Sequence, residues 1–123
     1  MKDIENRQDI ENLLTLFYEK ALKDAEIGYL FTEIAHINLE THLPHIADFW
    51  EMVLFQKEGY TKNVLQIHQH LHEKSPLQPA HFRRWLDLFL ETIDAHFLGE
   101  NAERAKQRAQ SVATVIQTKL ANS

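Results

Sequence analysis

The chain has 123 residues, 18 acidic against 13 basic side chains for a formal charge of −5, and no cysteine. That length fits one domain, residues 1–123, with a real core, and the missing thiols exclude disulfides, thiolate metal sites and cysteine nucleophiles. No basic run offers the phosphate-neutralising surface that nucleic acid requires. No window approaches the roughly 18 apolar residues of a membrane span, and the charged start MKDIENRQDIENLL lacks the apolar core of a secretory signal, so a soluble, cytoplasmic protein is expected.

Three glycines and three prolines among many good helix formers predict an all-α protein. The first helix is expected from about Asp9, read as its N-cap, to Lys23, where Ile10, Leu13, Leu14, Phe17, Tyr18, Ala21 and Leu22 keep the i, i+3, i+4 rhythm. A connector with one short helix around Tyr29–Glu33 follows. The second long helix runs from about Thr41 to Phe55, with Leu43, Ile46, Phe49, Trp50, Val53 and Leu54 on one face. Pro44 is tolerated there because it falls in the first turn, where N–H groups have no carbonyl partner. After a break at QKEGYTKN, a short third helix is expected over Lys62–His72.

Pro79 reads as the first residue of a fourth helix lasting to about Leu98, with Phe82, Trp85, Leu86, Phe89, Ile93 and Phe97 inward and Gly99 as the stop. The last helix, Ala102 to about Leu120, carries Ala102, Ala105, Ala109, Val112, Ala113, Ile116 and Leu120 on one stripe, small enough at its start for a neighbour to approach closely. Residues 121–123 should fray.

Eight histidines are unusual for this length, and three of them alternate in VLQIHQHLHEKSPL. Each helical residue advances about 100°, so His68 and His72 share a face while His70 points nearly the opposite way. Three readings of that face stand open. The pair can be merely solvated. It can contribute to a zinc site of three or four donors, although HLHEK lacks the HExxH spacing of zinc hydrolases. Finally, one imidazole can hold the iron of a haem, given an apolar slot that Phe17, Phe31, Ile46, Phe49, Phe82, Trp85, Leu86 and Ile116 can enclose. The same aromatics also suit an ordinary core, so composition and periodicity do not decide.

Four stretches in order, LFYEKALKDAEIGYLF, HLPHIADFWEMVL, NVLQIHQHLHEKSPLQPAHFRRWLDLF and AERAKQRAQSVA, resemble the third group of the truncated globins, small bacterial haem proteins. The likeness covers most of the chain from about Leu16 to Ala113. It implies a globin-like fold, a truncated two-over-two helical sandwich around haem b. It places His68 as the proximal iron ligand, with Leu65 and Leu71 beside the cofactor, His70 solvated and His72 starting the loop. Tyr18, His42 and Trp85 fall at the ligand-binding positions. Phe31 matches the aromatic that wedges the porphyrin, Ile46 and Phe49 match apolar contacts on the distal helix, and Phe82 and Ile116 complete the surroundings. His45 stands where relatives often carry a lysine reaching a haem propionate, which implies a weaker and pH-dependent anchor. Lys62 stands where a glycine is common after the GY turn.

The function so implied is binding of dioxygen, and of nitric oxide, carbon monoxide, cyanide or peroxide, by a monomer or weak dimer. A phenol O–H and an indole N–H would each contribute about 1.5–3 kcal/mol to a partly charged ligand. Such a donor pair holds oxygen too tightly for simple delivery and favours sensing, scavenging or redox chemistry. One alternative is a haem-dependent enzyme detoxifying nitric oxide or peroxide; it needs a separate reductase, since the chain has no GxGxxG signature. The other is a zinc-binding or regulatory helical module without haem.

Overall fold

The computed structural model describes residues 1–58, 60 and 62–121. Among them the chain forms α1 (Arg7–Ala21), a π turn (Leu30–Ile34), α2 (Leu39–Phe55), α3 (Val64–Lys74), α4 (Pro79–His96) and α5 (Glu100–Ala121). The helix interiors fall where apolar rhythm puts them. The starts of α1, α2 and α3 do not, because capping side chains set them.

Asn6, rather than Asp9, caps α1: its Oδ1 accepts the Asp9 N–H at 2.9 Å, while the buried Asp9 carboxylate reaches back to accept the Glu5 N–H at 2.9 Å. Asn38 does the same for α2, accepting the Glu40 N–H at 3.0 Å, so the helix starts before Thr41. Pro44 therefore lies in the second turn, not the first. The cost is contained because Pro44 and Glu40, whose carbonyl loses its helical partner, are both exposed to water. Asn63 caps α3 through the Gln66 N–H at 3.0 Å and delays its start from Lys62 to Val64. The helix then continues to Lys74, so His72 sits in its last turn instead of beginning the loop.

The expected short helix at Tyr29–Glu33 is a π turn, in which the Ala35 N–H reaches the Leu30 carbonyl at 2.9 Å. Pro79 opens α4 as expected, but the helix stops at His96, with Phe97 already extended. The expected fraying at 122–123 lies outside the described residues.

The helices form two layers, α1 with α2 and α4 with α5, with α1 crossing α4 and α2 crossing α5. Phe17 and Phe89 are the largest fully buried side chains between them. Ala102, Ala105 and Ala109 are buried on α5, which lets α4 pack closely against it. Arg7 ties α1 to α2, donating to Asp48 at 2.6 Å and Glu51 at 2.7 Å.

Two features place the rest. The start of α5 is capped from the far end of the chain: Asp3 accepts the N–H groups of Asn101 at 2.9 Å and Ala102 at 2.8 Å, and the Asn101 side chain donates to the Ile4 carbonyl at 2.8 Å. Gly99, at φ 147°, passes so close to Asp3 that a Cβ would collide with the carboxylate. The second feature is α3, which packs mainly on α5 and contributes no buried residue. Ile67 on this helix is 49% exposed.

Candidate functional site

The helix that carries the alternating histidines is thus the one with the least core to hold it. Its Val64, Leu65 and Leu71 are half-buried, so its apolar side is only partly covered by protein. The local backbone decides what each histidine can do. His68 Nδ1 lies 2.8 Å from the carbonyl of Val64, one turn earlier. A carbonyl only accepts, so Nδ1 carries the proton and the neutral ring keeps its lone pair on Nε2. Burial lowers the pKa of His68, partly offset by this hydrogen bond, so the neutral ring is favoured.

His72 is committed the opposite way. Its Nδ1 accepts the backbone N–H of Leu77 at 2.9 Å, which fixes the connector after α3. His70 is exposed. Among the described residues no three His, Asp or Glu side chains gather as a metal site, so the zinc reading lacks its remaining ligands.

A second group assembles on α1 and α2. The Tyr18 hydroxyl is 2.9 Å from His42 Nε2, and Phe31 from the π turn sets its ring edge-on to Tyr18 at 5.7 Å. With the His42 proton on Nδ1, the phenol donates to the imidazole. In the other tautomer the phenol accepts, and its own hydrogen is free for a ligand. Burial holds the Tyr18 phenol far above its ordinary pKa, so it stays protonated. Burial lowers His42, and the charge of His45, one turn on, lowers it further.

Trp85 is half-buried, stacked on Phe89 at 5.3 Å with an interplanar angle of 7°, and meets the edge of Phe17 at 6.0 Å. Its indole N–H has no hydrogen-bond partner among the described residues. Phe89 in turn stacks on Trp50 at 5.1 Å, a support for Trp85 that the helical spacing of Trp85 and Phe89 could have signalled.

Of the other expected contacts, Ile46 and Phe49 are half-buried on α2 against the core, and Ile116 is buried on α5. Phe82 is half-buried and lines a cavity of about 200 Å³ with Leu86, Ala113 and Gln117. His45 is exposed. Tyr60, not anticipated, sets its ring edge-on to Phe49 at 5.4 Å. Tyr18, His42 and Phe31 are thus in mutual contact through Tyr18, and Trp85 adjoins them through Phe17. No hydrogen bond or ring contact among the described residues links His68 to this group.

No family model matches the chain. A group 3 truncated hemoglobin from Campylobacter jejuni is 30% identical to it over 118 residues, 94% of this chain and 91% of that protein. The chain belongs to the group 3 truncated hemoglobins. The crystal structure of the group III truncated hemoglobin from Campylobacter jejuni matches this globin with a TM-score of 0.86 at 29% identity, over 98% of this chain and 95% of that one. The two-layer helical arrangement is therefore the truncated-globin fold, as the sequence motifs imply. Haem is the cofactor that the family name implies, and the globin's residues fit it. The donor set offers one imidazole in the Nδ1–H tautomer on a helix with an incompletely covered apolar side, and a separate group in which Tyr18, His42 and Trp85 lie among aromatic rings. No helix among the described residues is long and apolar enough to cross a membrane.

Proposed function

We propose that the protein binds haem b through His68 Nε2 and holds a diatomic ligand, dioxygen foremost, beside Tyr18, His42 and Trp85. Haem, when bound, would supply an iron that takes the His68 imidazole nitrogen and a small ligand. The observation that carries this reading is the 2.8 Å contact of His68 Nδ1 with the Val64 carbonyl. It aims the lone pair of Nε2 away from the helix backbone and fixes the ring's rotation, as a second-shell partner does for a metal-binding histidine. His72 has its Nδ1 occupied by Leu77 and serves the connector instead.

On the other side, the residues supply hydrogens rather than charge. Tyr18 keeps its proton, His42 sets which way that proton points, and Trp85 offers an unpaired N–H from a plane fixed by Phe89. The rings of Phe31 and Phe17 lie edge-on to Tyr18, and Phe17 also meets Trp85, which surrounds these donors partly with apolar surface. Leu65, Leu71, Phe82 and Ile116 supply apolar contact for the cofactor on the side of His68, and Ile46 on the side of His42.

The test is a hemin titration of the purified chain, followed by ferric, ferrous and carbonyl absorption spectra. One equivalent should give a Soret band and a five-coordinate ferrous form that takes up carbon monoxide. His68→Ala should abolish that ferrous form, and His72→Ala should retain it. A chain that remains colourless with excess hemin ends the proposal, and the reverse result for the two variants reassigns the ligand.

A further inference from the structure

The four-residue connector from Ser75 to Gln78 joins the helix carrying His68 to the helix carrying Trp85, and its backbone donors have an unusual destination. Ser75 donates to the Leu71 carbonyl at 3.0 Å, and Pro76 has no N–H. The other two donors both go to imidazoles: the Leu77 N–H to His72 Nδ1 and the Gln78 N–H to His81 Nδ1, each at 2.9 Å. One histidine reaches in from the last turn of α3 and the other from the first turn of α4. The last two residues of the connector are thus fastened by ring nitrogens that accept only while they are unprotonated.

We propose that His72 and His81 form a proton-operated latch. Neutral, they clamp the connector to α3 and α4. Protonated, each Nδ1 becomes a donor facing a backbone donor, and the clamp opens. Histidine is the side chain suited to doing this within the physiological pH range.

The Tyr29 hydroxyl lies 3.3 Å from His81 Nε2, with the two rings edge-on. Glu73 and Lys74 follow His72 on α3, and Arg84, one turn after His81, is turned to Asp24 at 2.8 Å. Among the described residues, no carboxylate comes within ion-pair distance of either ring.

Opening the latch matters because α3 has no buried side chain of its own to keep it in place. Its C-terminal end is held by the connector, so release frees the helix that presents His68. Acid then loosens the cofactor by a route separate from protonation of His68. This last consequence rests on the proposed haem reading, whereas the latch itself rests only on the two hydrogen bonds.

The experiment measures amide hydrogen exchange at Leu77 and Gln78 in the full chain by NMR, corrected for intrinsic exchange, at about pH 7.5 and about pH 5.5. Protection of both amides should fall about fivefold or more on acidification, the worth of one hydrogen bond. His72→Asn and His81→Asn place an amide oxygen, which accepts but does not titrate, near Nδ1. Each should keep its own partner amide protected at both pH values, whereas the alanine variants should lose protection at both. Wild-type protection that does not fall, or that falls equally in the asparagine variants, overturns the latch. Haem release at about pH 5.5 should be about fivefold slower in the double asparagine variant than in the wild type. Equal release rates alongside pH-insensitive amides overturn the link to the cofactor alone.

Discussion

Tyr18 and His42 show how one contact can fix the chemistry of two groups. The phenol is held protonated by burial, so its role is to give or take a hydrogen bond and not to move a proton. If Tyr18 and Trp85 each donate to the ligand, Tyr18→Phe and Trp85→Leu should each speed oxygen dissociation by about tenfold or more in flash-photolysis or stopped-flow measurements. Unchanged rates in both would make them packing residues. For His42 the sign follows from the direction of its shift. Burial first, and His45 second, lower its pKa below the ordinary 6.5, so the fold favours the neutral ring. The stability gained by burying that neutral ring is present above the unfolded pKa and is lost as pH falls through the lower folded value. Replacing His45 with Gln removes the neighbouring charge, and the NMR titration midpoint of His42 should move up; a fixed midpoint would mean that burial alone sets it. The sequence motifs implied Tyr18, His42 and Trp85 as ligand-side positions, but not the Tyr18–His42 hydrogen bond or the burial that keeps the phenol protonated. The bond from His68 to Val64 is different: it is local to one turn of helix and available to any histidine placed there.

At the scale of elements, the apolar rhythm located every long helix, because 3.6-residue spacing reports which side meets the core. It misplaced the ends, since a helix begins where a side chain can satisfy its orphan N–H groups. Asn6, Asn38 and Asn63 cap α1, α2 and α3, a signal carried by the sequence and outweighed there by the apolar pattern. The cap of α5 could not be found that way, because Asp3 comes from 98 positions upstream of Asn101. Its carboxyl pays some desolvation yet stays below its ordinary pKa, held by the N–H groups of Asn101, Ala102 and Ile4. Asp3→Ala should therefore lower stability by about 1–2 kcal/mol, seen as a lower urea midpoint with an unchanged slope. An unaltered midpoint would show that water replaces the carboxylate at no cost.

For the molecule as a whole, no residue of α3 is among the buried core, and the proposed haem reading gives that helix its role. A ligand that binds the folded state stabilises it by mass action, about 4 kcal/mol at a thousandfold excess over its dissociation constant. Hemin should accordingly raise the melting temperature, and the gain in amide protection should be greatest in Val64–Lys74, the helix with no buried side chain. A uniform gain across α1, α2, α4 and α5 would mean that α3 is already fixed by protein contacts alone. The same topology constrains how the chain assembles. A ribosome emits Asp3 long before Asn101, so the cap waits for its helix, and the contact closes only after the residues of α1 to α4 have emerged. Until then a detached α5 would leave uncovered the alanine stripe on which α4 rests.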